Sequence, residues 1–365
     1  MDTERSESAP ADDYLVTGPA EPEGSAGPGA GGFQRVLLRA VISQREITPI
    51  VITIALFIFF WVKSPAFLTS LSLNSVAGYA GPVAAIGTGE VLVLMLGEID
   101  LSAGQVFLFA PWVMYWMWQD GLPVGWAIVI ALLACVAVGV VNGLITVRLN
   151  VPSFVTTLAT NFVMVGLVLI FSNDTEASPI PGAVPPQTTL VVPHVGFFGQ
   201  LFGVWLWSEI IWVVAIVLLF HFILKRSRFG VRIVATGGNL LAAAEAGVPV
   251  RRVKLWCFVL CSLVSGFVGI IDGIKYGSMD PGNAGINYIL YAVGACVIGG
   301  TALTGGRGTV IGAFIGAILI GVLESGLTLI GVSTNDFYVY VGVVMVVAMA
   351  LNVWLDRLAA RTRTS

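Results

Sequence analysis

Glu90, Asp100 and Glu324 lie in or beside long apolar runs. An ionisable group there is costly unless it faces a water-filled path or a polar partner, so all three are candidates for lining a solute pathway or for structural pairing. Asn142 and Asn161 add amides that suit sugar hydroxyls or that glue neighbouring helices together. Asp272 poses the same choice between path and pairing, and Lys275 at i+3, the spacing of a helix ion pair, favours pairing. The other chemically capable residues assemble nothing. The two histidines, His194 and His221, flank an apolar run and so stand about a membrane thickness apart, which excludes a His-based triad or zinc site. Cys135, Cys257, Cys261 and Cys296 fall inside apolar segments and read as small hydrophobes without a disulfide. Cys257 and Cys261 share a helix face, but two soft ligands make no metal centre. The chain contains no Gly-Lys dipeptide and hence no Walker A loop. The expectation is a chain with no catalytic residue, no metal and no cofactor of its own; any ATP used is hydrolysed by another chain.

The elements that must position these residues are membrane helices. With 57% hydrophobic residues, 11% charged residues and a mean hydropathy of +0.92, the 365-residue chain lies outside the soluble globular range. Apolar runs of about 20 residues suit helices, whereas outer-membrane barrels alternate over roughly ten. The expected fold class is an all-α integral membrane protein with ten spans near 48–63, 72–97, 101–119, 126–147, 153–172, 205–224, 255–275, 287–303, 309–332 and 337–355. Gly78, Gly81, Pro82, Gly87, Gly89 and Glu90 interrupt the second, which predicts a broken helix lining an enclosed cavity. The net charge of -3 is pooled over two aqueous faces and points to no nucleic-acid partner. With ten crossings and a cytoplasmic start, only Lys63 and Lys275 face outward, leaving 16 of the 18 Lys and Arg inside, as the positive-inside rule requires. Residues 1–46 read as a disordered cytoplasmic tail and approach, lacking an apolar signal-like core. The spans occupy 47–357, with an external loop at 173–204 and a cytoplasmic loop at 225–254, and 358–365 form a second cytoplasmic tail.

The cytoplasmic loop, KRSRFGVRIVATGGNLLAAAEAGVPVRRVK, carries seven cations. Within it Asn239 can cap a helix begun by Leu240, the alanines 242–244 favour helix, and Gly247 followed by Pro249 ends it. Elsewhere, IDLSAG at 99–104 suggests a tight helix-to-helix turn with Asp100 or Ser102 capping the next helix. Gly308, Gly312 and Gly316 recur every fourth residue, a small-residue face for close helix packing.

IDLSAG, the loop RFGVRIVATGGNLLAAAEAGVPVRRVK and the run VIGGTALTGGRGTVIGAFIGAILIGVLESGLTLIGVS together resemble the membrane permease subunit of ribose- and xylose-type sugar ABC importers, over nearly all of residues 48–355. The resemblance implies alternating access through a pair of permeases, the second a copy or a paralogue. It also implies cytoplasmic ATPase subunits holding ATP and Mg, an extracytoplasmic sugar-binding protein, and residence in the bacterial inner membrane with both termini cytoplasmic. It further implies that Arg228, Gly230, Gly237, Gly238, Asn239, Ala243, Glu245 and Gly247 belong to an ATPase-coupling element, with a short helix near 239–246 docking into the ATPase. The chain departs from the family pattern at Glu98, at Ile289-Leu290-Tyr291 and at Glu324-Ser325.

Other readings stand beside this one: a related amino-acid or nucleoside permease, or a stand-alone secondary transporter or channel using Glu90 or Glu324 for protons. The loop's cations would also satisfy a topological role or contact with anionic membrane lipid. In the outer loop, Pro179, Pro181, Pro185, Pro186 and Pro193 favour an extended form. Asp174 and Glu176, together with Asp120, Glu209, Asp280 and Asp336, suggest an acidic face for docking the binding protein.

Overall fold

The computed structural model describes residues 47–172, 208–276 and 285–361. The expected tail at 1–46, residues 362–365 of the expected tail at 358–365, the outer loop with its prolines, Asp174 and Glu176, and also His194 and Asp280, lie outside them, whereas residues 358–361 continue the last helix. Every regular element among the described residues is helical: α1 Ile47–Lys63, a 3-10 turn Pro65–Leu68, α2 Ser70–Leu94, α3 Ala103–Gln119, α4 Val124–Arg148, α5 Ser153–Ser172, α6 Ser208–Arg226, α7 Arg228–Gly238, α8 Leu240–Glu245, α9 Val250–Tyr276, α10 Gly285–Ile298, α11 Val310–Leu329 and α12 Thr334–Arg361. Small polar side chains start several of them by taking up a free backbone N–H. Thr69 accepts from Ser72 N at the head of α2, Ser227 from Gly230 N at α7, Asn239 from Ala242 N at α8 and Thr309 from Gly312 N at α11.

Each expected span meets a helix, but among the described residues only five helices are long and apolar enough to cross a membrane: α2, α4, α5, α9 and α11. A sixth arises only if α6 and α7, bent by 72° at Ser227, are joined. The count of ten is therefore not reproduced by helix length. At about 1.5 Å per residue the 14-residue α10 covers roughly 21 Å, short of a bilayer core of about 30 Å.

The second span is not broken. Residues 70–94 form one continuous helix through Pro82 and every glycine. In apolar surroundings each freed backbone group is expensive, so the helical ladder outweighs the low intrinsic propensity of Gly. The glycines instead let neighbours approach. A methyl on Gly89 would lie 2.8 Å from the Cα of Cys261 in α9, and one on Gly87 would touch Cys296 in α10, whose thiol donates to the Gly87 carbonyl at 3.2 Å.

Helix α2 is the buried axis. Residues 80–94 are all buried, and α9, α10, α11 and α6 pack around it. By contrast α4 and α5 present Trp126, Leu133, Val141, Phe162 and Val163 outward, an apolar surface that suits lipid. Helix α4 meets α9 along a small-residue seam in which Gly139 and Gly143 lie against the backbone of Val259 and Leu255. Gly312 and Gly316 of α11 likewise face the carbonyls of Gly299 and Ala295, with no room for a methyl. Gly308 precedes the helix and lies under Met95 and Thr301. All four cysteines are free and buried.

Candidate functional site

The IDLSAG segment holds a turn at 101–102, but the whole connection from α2 to α3 is longer than a tight helix-to-helix turn. Helix α2 ends at Leu94, and α3 begins at Ala103. Glu98 pairs with Lys254 near the start of α9, whereas Gly269 of the same helix lies against the backbone of Phe107. Fifteen residues of α9 cover about 22 Å, more than the nine steps from 98 to 107 would cover as helix, so the residues before α3 climb faster than a helix does. Residues 98–100 thus form a limb without regular structure inside the bundle, residues 100–103 turn into α3 with Ala103 N donating to Asp100 O at 3.3 Å, and α3 starts at depth, where Gly104 abuts the Gly285 carbonyl at the head of α10.

Irregular backbone in this position must satisfy its polar groups without water. Side chains of two helices, α2 and α5, do so, together with the limb itself. Ser153 of α5 accepts from Ile99 N at 3.2 Å, Glu90 of α2 from Asp100 N at 3.1 Å and Thr157 of α5 from Leu101 N at 3.0 Å. At the turn Asp100 Oδ1 accepts from Ser102 N at 3.0 Å. The Ser102 hydroxyl donates to the same Asp100 oxygen at 2.5 Å and accepts from Asn142 Nδ2 of α4 at 2.8 Å, while Thr160 donates to Asn142 Oδ1 at 2.7 Å. Ser102 thus stands at the N-cap of α3 without capping it, because its hydroxyl is committed to Asp100. The other Glu90 oxygen accepts from the Cys261 thiol at 3.6 Å. Glu90, Asp100, Ser102 and Asn142 are all fully buried.

Three of the five pathway candidates thus come together in one network. Asn161 lies one turn beyond Thr157 on α5, 1% exposed, and its Oδ1 has no partner among the described residues. Glu324 is remote: it is half-buried on α11, one residue from Ser325, whose hydroxyl donates to the Ser72 carbonyl at the head of α2. The limb partners Ser153, Thr157 and Thr160 were missed by residue-type reasoning. Their signal was the polar stripe Ser153, Thr156, Thr157, Thr160, Asn161 at helical spacing in an otherwise apolar span.

The basic island forms two capped helices. Helix α7 buries Gly230, Ile233 and Thr236 and exposes Arg228, Val231 and Arg232. Helix α8 spans 240–245 as its sequence anticipates. Asn239 Oδ1 accepts from Ala242 N at 3.0 Å, and Gly247 closes it at φ +80°, with its N–H donating to Ala244 O and that of Val248 to Ala243 O. Ala243 is buried beneath it, while Leu240, Leu241 and Glu245 face outward, Leu241 being 73% exposed. A groove of about 530 Å³ opens beside them, lined by Leu240, Leu241, Val248 and the cations Arg251 and Arg252.

The island is seated on the foot of the limb. Gly237 packs so closely on the Met95 carbonyl and on Gly306 that a side chain has no room, and Gly306 N donates to that same carbonyl at 2.8 Å. Gly238, next along, has nothing within 4 Å of its missing side chain. The stretches around 95–101, 148–153, 225–254 and 301–308, which the charge count assigns to one face, all gather at one end of the bundle.

Residues 72–349 match the family model described as branched-chain amino acid transport system / permease component. The chain belongs to this permease family. Among curated proteins it is 28% identical to the xylose/arabinose import permease protein XylH of Sulfolobus acidocaldarius, over 89% of each chain. It is 32% identical to the ribose import permease protein RbsC of Bacillus subtilis, over 80% of this chain and 87% of that one. To the L-arabinose ABC transporter permease protein AraH of Azospirillum brasilense it is 30% identical, over 82% and 85%. No solved structure gives a significant match. The family and the apolar helices make the chain a multi-pass membrane transport subunit. Among the described residues no cluster of metal-ligating side chains occurs.

Proposed function

We propose that this permease is the translocating subunit of an ABC importer for a monosaccharide, a pentose above all. Three of its relatives are named for xylose, arabinose or ribose transport, two of them for import, which supports a pentose over an amino acid or a nucleoside. In this reading the chain crosses the inner membrane ten times with both termini cytoplasmic. A second copy or paralogue completes the path, a sugar-binding protein delivers substrate from outside, and ATPase subunits carrying ATP and Mg act from within.

The observation that carries the ATP-driven reading is helix α8: a short, doubly capped helix projecting from the bundle with Leu240 and Leu241 uncovered. A monomer gains nothing by holding apolar side chains out on a rigid cationic handle, whereas a partner groove would bury them. Arg228, Gly230, Gly237, Gly238, Asn239, Ala243, Glu245 and Gly247 then build that handle: Gly230 and Gly237 for close seating, Gly247 for termination, Asn239 as cap, Ala243 as its buried base. Glu90, Asp100 and Asn142 serve the limb rather than the solute, and Glu324 and Asn161 are the remaining candidates to line the path. The external loop is proposed to hold the binding protein.

The deciding experiment places the chain with its ATPase and sugar-binding protein in liposomes and measures uptake of labelled ribose, xylose and arabinose against leucine and adenosine. Pentose uptake that requires ATP is expected. Uptake that follows a proton gradient without the ATPase would assign the chain to secondary transport.

A further inference from the structure

We infer that the Glu98–Lys254 ion pair is a brace through which the cytoplasmic island moves the buried limb and, with it, helix α3. The inference rests on the reading of the chain as an ATPase-driven permease and names the residues that carry the stroke. Glu98 departs from the family pattern at the foot of the limb, and the structure supplies its partner: Lys254, 156 residues away in sequence, at the point where the island enters α9. The two side chains are only 15% and 18% exposed, so solvent screens them weakly.

The pair is one of two fastenings at the same place. Gly237 at the end of α7 is pressed on the Met95 carbonyl, three residues before Glu98, and Gly306 is bonded to that carbonyl as well. The limb itself cannot slacken cheaply, since the backbone N–H of each residue from 99 to 102 is held by a side chain. A displacement of α8 therefore reaches Glu98 through Lys254, runs along residues 98–102 and arrives at Gly104, where α3 abuts α10. Close packing makes such a chain of contacts move as a body rather than deform. Glu98 and Lys254 are positioning residues; neither touches the sugar.

The test uses the complete transporter, with ATPase and binding protein, in liposomes and reads sugar taken up per ATP hydrolysed. Glu98→Lys and Lys254→Glu should each keep the ATPase bound while that ratio falls at least about tenfold, and the double exchange should bring it back to within about threefold of the parent. Glu98→Gln and Lys254→Met, which remove charge without creating repulsion, should lower the ratio about fivefold at unchanged membrane accumulation, and they decide the matter if the reversals fail to accumulate. A normal ratio in the neutralised pair, or a double exchange no better than the worse single reversal in an assembled complex, overturns the brace. A parent complex that imports no sugar with ATP overturns the proposed function instead.

Discussion

Asn142 shows how a buried amide earns its place. Its Nδ2 donates to Ser102 and its Oδ1 accepts from Thr160, so Asn142→Ala removes two hydrogen bonds and leaves a void in a fully buried site, although Ser102 keeps Asp100 and Thr160 keeps the Thr156 carbonyl. A loss of roughly 2–3 kcal/mol is expected, read as a lower unfolding temperature of the purified protein in detergent. Glu90 makes the sharper distinction. Glu90→Gln keeps a carbonyl oxygen for Asp100 N and should accumulate normally with near-parental transport, whereas Glu90→Leu leaves that N–H unpaired and should be poorly inserted. Transport abolished in a well-folded Glu90→Gln variant would show that the carboxyl acts on solute or proton. Residue types alone singled out Glu90, Asp100 and Asn142 because polar groups in apolar runs are rare. They did not show whether those groups face a path or each other, since that depends on how α2, α4 and α5 are brought together. Thr157 and Ser153 escaped notice because hydroxyls are common in membrane helices, and only their i, i+4 spacing marks a shared face.

At the scale of elements, helix α8 was legible to within a residue or two because its start and stop are local: an Asn cap, three alanines, a Gly with positive φ and a following Pro. The limb at 98–100 and the unbroken α2 were not, because both are decided by neighbours. Glycine and proline argue for a break in water, but α2 is sheathed by four helices that leave its backbone no other partner. Adjacent glycines in α7 separate these influences. Gly237→Ala places a methyl against the Met95 carbonyl and should destabilise the island and lower coupling, while Gly238→Ala meets open space and, at the last residue of α7, gains less than the roughly 1 kcal/mol of an interior position. Hydrogen exchange across residues 228–247 should rise in the first variant and hold or fall in the second. Equal effects would mean that Gly237 is not seated as described.

At the scale of the whole molecule, the helix bundle of the described residues has two dissimilar ends. One gathers the island, the foot of the limb and the glycine turn at 305–306; the other carries Asp120 beyond α3 and the turn at Ser64. In the proposed orientation, which the positive-inside rule favours, the first end faces the cytoplasm. The four native cysteines are buried, so a single introduced thiol reports its own side with little background. Asn239 and Asp120 are both exposed and lie at opposite ends. In intact cells making this chain without its ATPase, Asp120→Cys should react with a membrane-impermeant maleimide, and Asn239→Cys should react only after permeabilisation. Adding the ATPase to inverted vesicles should then protect Asn239→Cys, because α8 enters the partner, while a thiol remote from the contact keeps its rate. Reaction of Asn239→Cys from outside would invert the chain and leave its exposed helix with no engine to grip it; reaction from inside without protection would keep the orientation and remove α8 from the docking surface.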